Sequence, residues 1–114
     1  MIYISIGSNL RGPSGSPTQA NIRALYLMNS LGIKISYYSS LWVSYPVPFS
    51  GEPFYVNSVA LCSKFEGNPE DLMNKFKKIE YLMGKKYKGP NKSRTIDLDL
   101  IDFRGSSAFE NIIL

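Results

Sequence analysis

Between Thr95 and Leu100 the chain alternates without a break, as Thr95-Ile96-Asp97-Leu98-Asp99-Leu100. On a strand, side chains two apart share a face and lie roughly 6.5 Å apart at Cα. Ile96, Leu98 and Leu100 therefore anchor the segment in a core, while Thr95, Asp97 and Asp99 stand on the opposite face. Two like-charged carboxylates placed side by side repel unless something positive lies between them. A magnesium ion, which takes a few carboxylates together with phosphate oxygens, meets that need. The plainer alternative is a half-buried strand whose polar face meets water.

The charges just before this strand bear on the choice. Of 13 Lys and Arg residues in the 114-residue chain, those at 75, 77, 78, 85, 86, 88, 92 and 94 fall within one stretch where Glu80 is the only acid. Such clustering reads as a site for an anion, either nucleic acid or the phosphates of a small ligand; a solvated helix face leading into a lysine loop is the alternative. Basic loop, Arg94 and carboxylate pair together describe a site for phosphoryl transfer with metal. The chain has no histidine, which removes Ser-His and Cys-His nucleophile pairs and histidine-ligated zinc. The single cysteine, Cys62, can form no internal disulfide and fits a reducing cytoplasm. Apolar runs are far shorter than the roughly 18 residues of a membrane span, and no basic residue precedes Arg11, so neither a span nor a secretory signal is predicted.

Element signals alternate along the chain. Ile2–Ile6 reads as a strand closed by Gly7-Ser8-Asn9. Ser16 caps a helix with Pro17 at its first position and Gly32 at its end, with Ala20, Ala24, Leu27, Met28 and Leu31 facing inward. Lys34–Tyr45 reads as a second strand, Pro46–Pro53 as a long loop of the kind that lines ligand sites, and Phe54–Phe65 as a third strand. Asn68-Pro69-Glu70-Asp71 starts a second helix, whose stripe is Leu72, Met73, Phe76, Ile79 and Met83 and whose stop is Gly84. Thr95–Phe103 is the fourth strand, followed by a turn at Arg104–Ser107; Phe109–Leu114 could begin another. The order β-α-β-β-α-β predicts an α+β, ferredoxin-like antiparallel sheet with helices packed on it.

Three segments carry a family resemblance across the whole chain. Ser93-Arg94-Thr95-Ile96-Asp97-Leu98-Asp99-Leu100, preceded by Gly84-Lys85-Lys86, resembles the signature of the 6-hydroxymethyl-7,8-dihydropterin pyrophosphokinase family. Ile4-Ser5-Ile6-Gly7-Ser8-Asn9-Leu10 is similar to that family's first strand and turn. Ser44-Tyr45-Pro46-Val47-Pro48 with Pro53-Phe54-Tyr55-Val56-Asn57 resembles its pterin-binding segment. Any one is weak; three in the family's order are specific.

The resemblance implies transfer of pyrophosphate from MgATP to the hydroxymethyl group of 6-hydroxymethyl-7,8-dihydropterin, with release of AMP, in cytoplasmic folate biosynthesis. It assigns Asp97 and Asp99 to two Mg²⁺ ions, Asp97 also to the pterin, and Arg94 with Lys85 to catalysis. Glu80, Lys85, Lys86, Arg94 and Leu100 are assigned to ATP, and Ser44, Val47, Tyr55 and Asn57 to the pterin. Lys85 and Lys86 stand where the family usually carries arginines, which keeps the charge but not the bidentate fork. Without these matches, Tyr55 reads as sheet packing and Glu80 as the partner of Lys77 in a surface pair. Further departures are Glu52 in place of glutamine and Tyr87 within the basic loop. The resemblance also implies that the family's later Pro-His segment and second aromatic pterin partner lie outside these residues. The expectation is one pyrophosphokinase domain, 1–114, without that segment, acting as a monomer on small molecules with no nucleic acid or membrane. The alternatives are a ferredoxin-like nucleic-acid-binding domain and a catalytically impaired fragment; two carboxylates beside Arg94 speak against the former, since they repel phosphates unless metal is present.

Overall fold

Both helices begin where the sequence places a cap. In the computed structural model, which describes residues 1–45, 51, 53–86 and 93–107, Ser16 and Gln19 form a reciprocal capping box ahead of α1 (Pro17–Ser30). Asn68 and Asp71 do the same ahead of α2 (Pro69–Leu82), with Glu70 and Asp71 in the first turn complementing the helix dipole. The strands are β1 (Ile2–Ser8), β2 (Lys34–Tyr38), β3 (Trp42–Ser44), β4 (Tyr55–Lys64), β5 (Asp97–Phe103) and β6 (Ser106–Ser107). Their order across the sheet is β2-β4-β1-β5-β6, with β3 also on β4 and every pairing antiparallel. The α+β fold and the ferredoxin-like order of the four main strands are as the sequence predicts.

The core lies between the sheet and the helices. Ile2, Ile4 and Ile6 of β1, Ala60 and Cys62 of β4 and Leu98 of β5 meet Ala24 and Met28 of α1 and Leu72, Phe76 and Ile79 of α2. Burial of so many branched and aromatic side chains, each worth about 1.5–3 kcal/mol, is the main source of stability. Among the buried polar residues, Asn21 and Ser58 satisfy each other: Asn21 donates to the carbonyls of Pro17 and Val56 and accepts from the Ser58 hydroxyl at 2.7 Å.

The strands depart from the sequence reading in several places. β1 continues through Gly7 and Ser8, where the sequence reads a turn. The expected strand Lys34–Tyr45 divides into β2 and β3 because Ser39 takes the Val59 N–H on its hydroxyl, at 2.8 Å, and so interrupts the backbone ladder. The fourth strand starts at Asp97 rather than Thr95, because the Arg94 carbonyl is occupied by the Asn9 N–H. The register along β1 passes from Tyr3 opposite Asp102 to Ile4 opposite Leu100, leaving Ile101 as a bulge residue that lets Phe103 return to the core face. The Arg104–Ser107 turn is tighter than a loop. Arg104 and Gly105 both take positive φ, and Ser106 pairs back on Phe103 as β6. Val47, Glu52, Tyr87 and the segment Phe109–Leu114 lie outside the described residues.

Candidate functional site

The helix-free face of the sheet gathers the polar residues that the alternation left over. Opposite one another across the strands stand Trp42 (β3), Asn57 (β4), Gly7 (β1) and Asp97 (β5), with Tyr55 opposite Ser44 in the row on one side and Asp99 opposite Ser5 in the row on the other. Gly7 is where the row needs no side chain: a Cβ there would lie 3.1 Å from Asn57 Oδ1 and 3.6 Å from the Tyr55 ring. The result is an open pocket of about 310 Å³, walled by Trp42, Tyr45, Tyr55 and Asn57 on one side and by Asp97 and Asp99 on the other.

Local bonds orient these groups. Asn57 Nδ2 donates to Ser44 Oγ at 2.8 Å and to the Trp42 carbonyl at 3.4 Å, which fixes the amide and leaves Oδ1 toward the Gly7 gap. Ser44 thus contributes its hydroxyl to positioning Asn57. Arg94 is pinned through its backbone: its N–H donates to Asn9 Oδ1 at 2.7 Å, and its carbonyl accepts from the Asn9 N–H at 3.0 Å. Asn9 Nδ2 donates in turn to the Pro53 carbonyl at 3.0 Å, two residues before Tyr55. The Arg94 side chain acts on the Tyr55 phenol.

Lys85 reaches the carboxylates because of how α2 ends. Gly84 adopts φ +80°, its N–H donates to the Tyr81 carbonyl, and the Lys85 N–H donates back to the Glu80 carbonyl at 2.9 Å, a Schellman turn. The Lys85 ammonium then lies 2.7 Å from Asp97 Oδ1 and 3.1 Å from Glu80 Oε2. Glu80 Oε2 also accepts from the Leu98 N–H at 2.8 Å, so the same carboxylate holds both the lysine and the strand. Glu80 pairs with Lys85, and the surface pair with Lys77 offered by the sequence does not form.

The electrostatics follow from this crowding. Burial and then the Asp97 charge push the Asp99 carboxyl above its ordinary value, with Lys85 opposing. Burial lowers the Lys85 ammonium, but Asp97 and then Glu80 more than offset it, and its pKa ends above the usual lysine value. Burial, followed by Asp97, raises the Tyr55 phenol against Arg94 and Lys85.

Of the residues singled out from the sequence, Ser44, Tyr55, Asn57, Glu80, Lys85, Arg94, Asp97 and Asp99 come together here. Lys86 is exposed and borders a neighbouring pocket of about 330 Å³ between Leu10–Pro13 and Ser93–Thr95. Leu100 packs against the core, and its side chain is not part of the group. Sequence reading missed the individual parts of Gly7, Asn9, Trp42 and Tyr45. Trp42 had a usable signal, lying two residues before Ser44 and hence on its face. Asn9 had none, because its partners Arg94 and Pro53 are 85 and 44 residues away.

A ferredoxin-like α+β domain with a carboxylate pair, a lysine and an arginine facing an aromatic-walled pocket has the parts of a small-molecule phosphoryl-transfer site. The family model for 7,8-dihydro-6-hydroxymethylpterin-pyrophosphokinase (HPPK) matches residues 3–113, and the chain belongs to that family. It is 32% identical over 101 residues to the folate synthesis bifunctional protein of Arabidopsis thaliana, covering 88% of this chain and 20% of that protein. It is 34% identical over 103 residues to folic acid synthesis protein fol1 of Pneumocystis carinii, covering 88% of this chain and 13% of that protein. The chain therefore spans a fifth or less of the length of these relatives.

Proposed function

We propose that this chain transfers the terminal pyrophosphate of MgATP to the hydroxymethyl group of 6-hydroxymethyl-7,8-dihydropterin, releasing AMP. The observation that carries the reading is the cross-strand row Asn57–Gly7–Asp97, which puts a flat polar slot directly beside the carboxylate pair. In the reaction, the hydroxymethyl oxygen bonds the β-phosphorus, the bond from that phosphorus to the AMP oxygen breaks, and the hydroxyl proton is released. The folate-synthesis names of both relatives are in keeping with this assignment.

The residues fit magnesium. Both donors are hard carboxylate oxygens on adjacent same-face positions of β5, and Lys85 is bonded to only one of the two carboxylates. Among the described residues no group of three or more His, Cys, Asp or Glu could form a complete metal cage, so the remaining ligands would come from phosphate and water. Asp97 and Asp99 would hold the ions, two in number on this reading, and bound magnesium would neutralise charge developing on the transferred group.

The chain's own groups do the positioning. Asn57 Oδ1, oriented by Ser44 and Trp42, offers an acceptor to ring N–H donors, and Tyr55 offers an aromatic wall to a flat heterocycle. The assignment of Val47 to the pterin rests on the family resemblance alone, as does that of Leu100 to ATP, since the Leu100 side chain packs against the core. Arg94, a permanently charged fork, and Lys85 take the phosphate oxygens, with Lys86 at the rim and Glu80 holding Lys85. Alignment of attacker and leaving group is the chief contribution such a site makes.

The reaction needs only one chain and two small molecules, with no nucleic acid or membrane. No helix among the described residues is long and apolar enough to cross a membrane. The single buried thiol, Cys62, suits a cytoplasmic setting. Calorimetry with a nonhydrolysable ATP analogue, with and without Mg²⁺ and pterin, followed by an assay of AMP release, tests the reading. Magnesium-dependent nucleotide binding and a separate pterin isotherm are expected. Equal nucleotide affinity without magnesium, together with no pterin binding, would overturn it.

A further inference from the structure

We propose that Lys85 is a built-in counter-cation for Asp97, parked there by Glu80, which a divalent ion has to displace, so that metal enters together with nucleotide rather than ahead of it. The inference rests on the reading of Asp97 and Asp99 as magnesium ligands. The Lys85 ammonium is bonded to Asp97 Oδ1 at 2.7 Å, on the carboxylate that the metal also requires. A divalent ion bound through that oxygen would lie about 2.1 Å from it, and two cations cannot share the oxygen at such distances without strong repulsion.

The lysine is placed, not stray. The Schellman turn at Gly84 returns its backbone to Glu80, and Glu80 Oε2 holds its head at 3.1 Å. Glu80 is itself fixed, because the same oxygen accepts the Leu98 N–H of β5. The pair is half-sheltered, with the Lys85 and Glu80 side chains only 22% and 14% exposed, so solvent screens it incompletely. Lys85 lies past the end of α2 on a long unbranched stem, whereas Asp97 and Asp99 lie on a strand paired within the sheet, so displacement requires moving one side chain and no strand.

Metal arriving alone would strip Lys85 of its nearest anion and leave a cation beside it. Metal arriving with polyphosphate brings new anions for the displaced ammonium. Lys85 thus opposes the first event and favours the second, by the same charge.

Lys85→Met, which keeps the stem and removes the charge, separates the two. Mn²⁺ binding to the nucleotide-free protein, followed by electron paramagnetic resonance, should tighten roughly threefold to tenfold. Affinity for the Mg²⁺-complexed nonhydrolysable ATP analogue should weaken by a similar factor. Lys85→Arg should restore both, and Lys78→Met, the same charge change on an exposed face of α2, should move each by less than about twofold. Unchanged or weaker Mn²⁺ binding in Lys85→Met, or shifts of both affinities in one direction, would overturn the proposal. If the unmodified protein takes up no Mn²⁺ with or without nucleotide, the magnesium reading itself has failed and the proposal falls with it.

Discussion

Tyr55 and Asp99 sit on the same sheet face yet should respond differently to substitution, because one offers area and the other offers charge. Tyr55→Ala is expected to weaken pterin binding by about 1–3 kcal/mol, the scale of a lost aromatic wall and its buried area. Binding of the ATP analogue without pterin should change little, and calorimetry of the two ligands checks the contrast. Asp99 carries a cost in the metal-free protein. Its folded pKa lies above the ordinary value because of burial and Asp97, so the folded state holds a proton more tightly than the unfolded chain. Metal-free stability should therefore fall as pH rises from about 3.9, the unfolded value, through the higher folded value. Asp99→Asn should raise the metal-free melting temperature at neutral pH and flatten that pH dependence, while removing the effect of Mg²⁺ on nucleotide binding. Thermal melts across pH, with and without Mg²⁺, read all three.

Elements bring these residues together through their ends. The end of α2 matters most, since its last turn carries Glu80 and its stop carries Lys85. Gly84 holds φ +80°, and a Cβ there would also fall 2.6 Å from Pro13 of the β1–α1 loop. Gly84→Ala is expected to lower stability by about 1–3 kcal/mol, from left-handed strain and this contact. It should also weaken binding of the Mg²⁺-complexed ATP analogue by moving Lys85. Urea unfolding and nucleotide calorimetry on the same variant check both. β5 is the complementary case: its start is the site and its remainder is core, so Leu98 anchors the aspartates on either side of it.

At the scale of the whole molecule, the site exists only because three distant segments are tied at one point. Asn9, 3% exposed, joins the end of β1 to Arg94 and to Pro53 ahead of β4. Asn9→Ala would remove the side-chain bonds to the Arg94 N–H and the Pro53 carbonyl, both only part-buried, which costs about 0.5–1.5 kcal/mol for each bond lost. Loss of both pterin and nucleotide affinity is expected, in contrast to Tyr55→Ala, and the same calorimetry reads it. An Asn9→Ala protein with unchanged affinity for both ligands would show that the tie serves stability alone.

Much of the fold could be read locally. The caps at Ser16 and Asn68, the stops at Gly32 and Gly84 and the alternation from Asp97 to Leu100 depend on groups within a few residues of each other, and here the local preferences agree with the fold; Thr95, expected beside the aspartates, is instead buried against Gly12. The facing of Asp97 and Asp99, and of Tyr55 and Asn57, follows from the strand period alone. What the sequence left open depends on pairing across long separations. The division of β2 from β3 was decided by the Ser39 hydroxyl meeting Val59 on another strand, and the bulge at Ile101 by the register with β1. Glu80 could be placed on its helix, but its choice of Lys85 over Lys77 needed the Gly84 turn and the Leu98 N–H in position. Residue chemistry and local period determined which side chains face the open sheet. Only the tertiary structure decided which of them touch, because contact depends on register, and register is a property of two strands at once.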